Sequence, residues 1–278
     1  MPKFFNWPFF KPQTSPLLGI DISASGVKLL EVTKQKTTWQ VNSAAWANLP
    51  EATFLDARIN NFAALVSGLK EAVSQARPLT KKVALALPTS QVITKPLTVN
   101  KNLSPQEAEE QLLIEASQSL PYPLAEVALD FKLLPPEQPT SPNQPVLLVA
   151  SRKELVEQLD EVVLAAGLQP WVVEVEGFAL ARAAQLAMPA APSSLLGLIN
   201  LEAAKASLHL IKGQEVLASR DLTTASPDQL IRQLEAFFAT SSHPPLAGFL
   251  VAGSAANTDF LAALNAAFNL PASLANPL

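Results

Sequence analysis

Residues 17–32 read LLGIDISASGVKLLEV, two apolar runs around a hinge that holds an aspartate, two serines and a glycine. Two chemistries are open to such a hinge. Asp21, Ser23, Ser25 and Gly26 could grip a phosphate, because glycine lets backbone N–H groups approach an anion closely. The same residue types also favour tight hairpin turns for conformational reasons alone. The wider sequence argues for caution over the phosphate. Glycine is scarce, 9 residues against 24 prolines, and there is no GG pair, no G-x-G and no G-x-x-x-x-G-K. A nucleotide site here is poor in the residue such sites use most.

Other chemistries are excluded more firmly. The chain has no cysteine, which removes disulfides, thiolate metal sites and cysteine nucleophiles, and fits a reducing compartment. Only two histidines occur, and they are far apart: His209 on a predicted strand face and His243 in a proline-flanked loop. Neither a serine–histidine triad nor a histidine metal site is expected. The net charge of −4 gives no basic footprint for nucleic acid. No apolar run reaches the ~18 residues of a spanning helix. The opening MPKFFNWPFFKPQ lacks the apolar core and cleavage site of a signal peptide, so a cytoplasmic location is expected. Residues 1–16 read as an aromatic N-terminal tail. Phe4, Phe5, Trp7, Phe9 and Phe10 make it either a loose terminus or a small patch for a membrane surface or a partner.

The elements that must position the hinge read as a duplicated α/β pattern. Strands at 17–21, 27–32 and 38–49 are followed by an amphipathic helix from about 59 to 76, with Phe62, Leu65, Val66, Leu69 and Val73 on one face. KKVALALP is then a buried strand. From Ser194 the order repeats: SLLGLINL, KASLHLIKG and QEVLASRDL are strands, and a helix follows with Ser226 as cap and Pro227 in its first turn. LAGFLVAG is the next strand, and a helix from about Asn257 closes the chain. Two βββαβ halves imply an actin-like, also called ribonuclease-H-like, fold whose first hairpins point at a shared cleft. Between the halves, residues 93–171 read as an α+β insert. One of its helices opens on a Ser104–Pro105–Glu107 capping box, and another is expected to be capped by Ser151 with Glu154 and to stop at Gly167.

LLGIDISASGVKLLEV, VITKPLTV, LPYPLAEVALDFKLL and VEVEGFALARA occur in that order, with a weaker match at FLVAGSAANTDFLAAL. This series resembles the type IV pilus assembly protein PilM family, a relative of the cell-division FtsA family. The resemblance implies subdomain 1A at 17–92 and 172–190, insert subdomain 1C at 93–171, and subdomain 2A at 191–278. It implies ATP with magnesium in the cleft. It also implies a partner, the cytoplasmic tail of a PilN-like inner-membrane protein, docked between the first subdomain (17–76) and the insert (93–167). Asp21, Ser23, Ser25, Gly26 and Lys28 match the family's first phosphate hairpin, and Gly253 and Ser254 its nucleotide-proximal turn.

Three departures qualify what the resemblance implies. The second phosphate hairpin reads INLEAAKAS, with Asn200 in place of the aspartate that would position Mg²⁺ and with no glycine. Glu202, two residues on, is the nearest carboxylate. A further lid subdomain, 2B, has no room between residues 222 and 246, and a nucleotide would lose one wall of its pocket. VAGSAAN carries a single glycine where the family tends to show two. The expectation is a degenerate actin-like protein without ATP turnover, with no resident cofactor and at most weak ATP binding. It would act as a scaffold peripheral to the inner membrane, in contact with the PilN-like tail and with other pilus assembly proteins. The alternatives are an active or nucleotide-switched ATPase of the same fold, and a cytoplasmic component of a type II secretion platform.

Overall fold

A computed structural model of the chain describes residues 16–24, 26–36, 38–55, 58–135, 141–187, 194–203, 205–223 and 226–275. The aromatic tail and Ser25 lie outside the described residues, apart from Pro16.

The first half opens with β1 (Leu18–Ser23) and β2 (Gly26–Gln35), an antiparallel pair closed at Ser23 opposite Gly26. β3 (Thr38–Asn48) continues the meander, and β4 (Phe54–Leu55) and β5 (Arg58–Ile59) form a small ribbon. Helix α1 (Phe62–Ala76) comes next, then β6 (Lys82–Leu87), parallel to β1. The helix starts three residues later than its periodicity suggests. Ile59 is taken by the ribbon, and the Asn61 side chain accepts the Ala64 N–H at 3.0 Å, fixing the helix start there.

The insert is built on β7 (Val92–Asn100), α2 (Pro105–Ser119), β8 (Val127–Leu133) and β9 (Asn143–Arg152), with strand order β7-β9-β8. Pro96 is tolerated in β7 because that strand is an edge. The capping box of α2 forms as its sequence indicates, with Ser104 and Glu107 bonded reciprocally. α3 (Lys153–Ala165) does not start as expected. Ser151 is still within β9 and donates its hydroxyl to the Gln91 carbonyl at 3.0 Å, so Arg152 takes the cap position without a side-chain bond. α3 packs on α1, and Val162 and Val163 join the core of the first sheet with Leu18, Leu65 and Leu69.

β10 (Gln169–Val175) returns to the first sheet beside β6 and runs into α4 (Glu176–Ala187). The second half repeats the first: β11 (Leu195–Leu201), β12 (Ala206–Lys212), β13 (Glu215–Leu222), α5 (Pro227–Thr240), β14 (Leu246–Ala252), α6 (Thr258–Phe268) and β15 (Ala272–Leu274). The sheet orders are β10-β6-β1-β2-β3 and β13-β12-β11-β14-β15. The duplication thus extends to a fifth strand. β15 lies parallel to β14 as β10 lies parallel to β6, although three residues are too short for a sequence pattern to reveal a strand. Among the described residues, α5 is the only helix between β13 and β14.

α4 joins the halves. Ala181 and Ala184 are buried with Leu196, Leu198, Ile211 and Leu250 of the second sheet, while the helix also touches β6 and β10 of the first. Its first turn comes so close to β12 that a Cβ on Gly177 would meet His209 Nδ1 and Thr89 Oγ1, each at 2.9 Å. A side chain there would force His209 or Thr89 to move, so glycine lets the first turn of α4 seat against β12.

Candidate functional site

The β1–β2 and β11–β12 hairpins face each other across the cleft. Residues that sequence alone could only name separately come together between them. Lys28 Nζ, from β2, lies 2.9 Å from Glu202 Oε1 just past β11 and 3.4 Å from Asp21 Oδ2. The other Glu202 oxygen accepts the Ser254 hydroxyl. Asp21, Lys28 and Ser254, which the resemblance assigns to two separate turns, therefore belong to one cluster with Glu202 at its centre.

Backbone geometry puts these groups in place. Gly253 has φ +101°, and a Cβ there would stand 2.2 Å from the Leu201 carbonyl oxygen. The turn after β14 can lie against the end of β11 only because residue 253 is glycine. The Ala255 N–H then bonds Leu201 O at 3.0 Å, which presents Ser254 to Glu202. On the opposite side, Gly26 is buried against the Trp46 ring. Ser23 donates its hydroxyl to the Gly26 carbonyl at 3.2 Å, a bond within the turn itself.

The electrostatics follow from the contacts. Burial opposes the Lys28 charge, yet Glu202 and Asp21 outweigh it and hold the ammonium pKa above its ordinary value. Burial likewise opposes the Glu202 charge, and the Lys28 and Ser254 bonds hold its pKa below the usual carboxylate range.

Deeper in the cleft, at the start of α4, Glu176 accepts the Asn200 amide at 3.0 Å and lies 3.7 Å from Lys205. Burial pushes the Glu176 pKa up, against the pull of Lys205. Sequence reasoning passed over this carboxyl, because an acid in the first turn of a helix normally only complements the helix dipole. Only the tertiary structure places it in the cleft, opposite Asn200.

Two cavities of about 460 and 520 Å³ open on this cluster, and Asp21, Ala86, Glu176, Asn200 and Glu202 line both. That space could admit a nucleotide, but the donors do not fit its phosphates as they stand. Lys28 and Ser254 are both engaged by Glu202, and the Glu202 N–H is spent on the Lys205 carbonyl at 2.8 Å. Asn200 offers no charge for a magnesium ion and is bonded to Glu176.

A second concavity, of about 450 Å³, lies between the first half and the insert. Arg58, Ile59 and Gln91 form one wall, and Leu120, Tyr122, Arg152 and Leu155 the other. The Arg152 guanidinium stacks 4.5 Å from the centre of the Tyr122 ring, a cation–π contact that stiffens the rim. The groove thus mixes apolar side chains with charged ones of both signs, Arg58 and Arg152 beside Glu154. Sequence reasoning placed a groove between these two regions but named no residues for it.

The comparisons agree with this architecture. The family described as type IV pilus assembly protein PilM matches residues 19–225. The structure is similar to that of a PilM–PilN type IV pilus biogenesis complex, with TM-score 0.77 and 25% identity over 95% of this chain and 89% of that one. It is also similar to the cytoplasmic domain of EpsL, an inner-membrane component of the type II secretion system of Vibrio cholerae (TM-score 0.51, 12% identity, 94% and 86% covered). A Bacteroides thetaiotaomicron protein of unknown function with an actin-like ATPase fold gives TM-score 0.54 at 10% identity over 98% and 95%. The last two likenesses concern the fold alone, and together with the duplicated sheets they establish it as actin-like.

Proposed function

Because the chain belongs to the type IV pilus assembly protein PilM family, we propose that it serves pilus assembly as a docking scaffold that takes the cytoplasmic tail of a PilN-like inner-membrane protein. The observation that carries this reading is the groove between the first half and the insert. Ile59, Leu120 and Leu155 in its lining suit the apolar anchors of a short peptide, and Arg58, Arg152 and Glu154 suit its carbonyls or charged side chains. The likeness to a PilM–PilN complex supplies the class of partner. Holding that tail would keep the protein at the inner face of the membrane, since no helix among the described residues is long and apolar enough to cross one.

In this reading the cleft does not turn over ATP. Its lysine is neutralised by Glu202, and the position suited to a magnesium-binding acid is Asn200. The lid subdomain 2B is dispensable for docking in this reading, because the groove is lined by the first half and the insert.

The test is a calorimetric titration of the full chain with a peptide copied from the cytoplasmic tail of the PilN-like protein. Leu155→Glu puts a charge in place of an apolar lining side chain and should weaken binding at least about tenfold, the cost of burying an unpaired carboxylate in part. Lys28→Ala, in the cleft, should leave it unchanged. Equal affinity of Leu155→Glu and the parent would overturn the docking site.

A further inference from the structure

Glu202 is bonded as a ligand would be. Its carboxylate takes an ammonium from Lys28 and a hydroxyl from Ser254, in a glycine-containing turn. An ammonium and a hydroxyl that converge from two sides are donors that bind a phosphate oxygen, and a carboxylate satisfies the same donors because it too is a compact anion with paired acceptor oxygens. The two sides of the set come from different halves: Lys28 from the first sheet, Ser254 from the turn after β14 in the second. The Glu202 side chain is only 14% exposed, so the pair it makes with Lys28 is largely shielded from water and salt. Asp21 closes the other side of Lys28 at 3.4 Å.

We infer that Glu202 is a built-in anion of the cleft: it occupies the Lys28–Ser254 donor set, ties the two halves together, and must be displaced before a phosphate group can bind there. This goes beyond the docking reading and stands without it. It gives the cleft a definite state, closed on its own carboxylate, and makes residue 202 the one that sets phosphate affinity. A phosphate bound in its place would have to contact the same two donors, and the freed Glu202 would swing into one of the two flanking cavities.

The experiment titrates pyrophosphate and, separately, ADP into the full chain and into Glu202→Gln. Tryptophan fluorescence is the readout, since the Trp46 ring centre lies 5.7 Å from Lys28 Nζ. Glu202→Gln keeps the size and removes the competing charge, so it should bind pyrophosphate at least about tenfold more tightly than the parent. Adding Lys28→Ala should abolish the gain. A gain larger for ADP than for pyrophosphate would identify the phosphate source as a nucleotide, and an equal gain would identify it as the phosphate chain alone; either supports the inference. Unchanged affinity for both probes overturns it. Should Glu202→Gln not fold, Glu202→Asp keeps the charge but shortens its reach, and a folded Glu202→Asp with parental affinities overturns it equally.

Discussion

His209 should make this protein lose stability on mild acidification. The imidazole is fully buried in β12, with Nε2 3.0 Å from the Ser207 hydroxyl and Nδ1 2.8 Å from the Ser219 hydroxyl. Burial first, and then Lys205, lower its pKa from 6.5 to about 4, against the opposing pull of Asp221. Between those values the unfolded chain binds a proton that the native ring refuses, so stability falls as pH drops from about 6.5 towards 4 and is fully present above that window. At about pH 5 the difference amounts to roughly 2 kcal/mol relative to pH 7, and at the bottom of the window to roughly 3 kcal/mol. The assay is urea denaturation followed by circular dichroism at both pH values, on the parent and on His209→Gln. Glutamine can still bond both serines but does not titrate, which separates His209 from the carboxyls that also change over this range. Glu176, whose pKa is raised, gains relative stability on acidification, whereas Glu202, whose pKa is lowered, loses it, and both act alike in parent and variant. The parent should therefore lose about 2 kcal/mol more than His209→Gln between pH 7 and pH 5. An identical loss in both would refute the reasoning. Because His209 lies against Gly177 at the start of α4, the same acidification should loosen the joint that places Glu176 in the cleft.

Other outcomes follow from single contacts. Glu31 is fully buried in β2 and accepts the Leu79 and Thr80 N–H groups at 2.9 and 3.1 Å, so Glu31→Ala should cost about 2 kcal/mol, read as a shift in denaturation midpoint without a change in slope. Gly253→Ala places a Cβ against Leu201 O at a positive φ; it should lower the melting temperature by several degrees, roughly 2 kcal/mol, and release Ser254 from Glu202. Ser104→Ala removes the cap and half the capping box of α2 and should cost about 1 kcal/mol in chemical denaturation, with the peptide groove still able to bind.

The elements with strong local signals were legible in the sequence. The Ser104–Glu107 box and the Ser226 cap depend on groups three residues apart, and each forms as the residue types dictate. The duplicated strand–strand–strand–helix–strand order was legible too, because buried strands and amphipathic helices differ in period. Where tertiary contacts compete, the local signal failed. Ser151 has the chemistry of a cap, but β9 keeps it and spends its hydroxyl on Gln91. Ile59 fits the apolar face of α1, but pairs with Phe54 instead. β15 exists only because β14 offers it an edge.

The cleft divides the same way. Its chemistry is written in the residue types: a lysine and an aspartate in the first hairpin, few glycines, and an asparagine where a metal-binding acid would serve best. What these groups do to one another depends on how the chain folds. Lys28 and Glu202 are 174 positions apart, and Glu202 and Ser254 are 52 apart. No periodicity or cap relates groups at such separations. Two sheets must close on α4 before an ammonium and a carboxylate from different halves can meet, and that closure turns a turn-like hinge into one side of a shared ion pair.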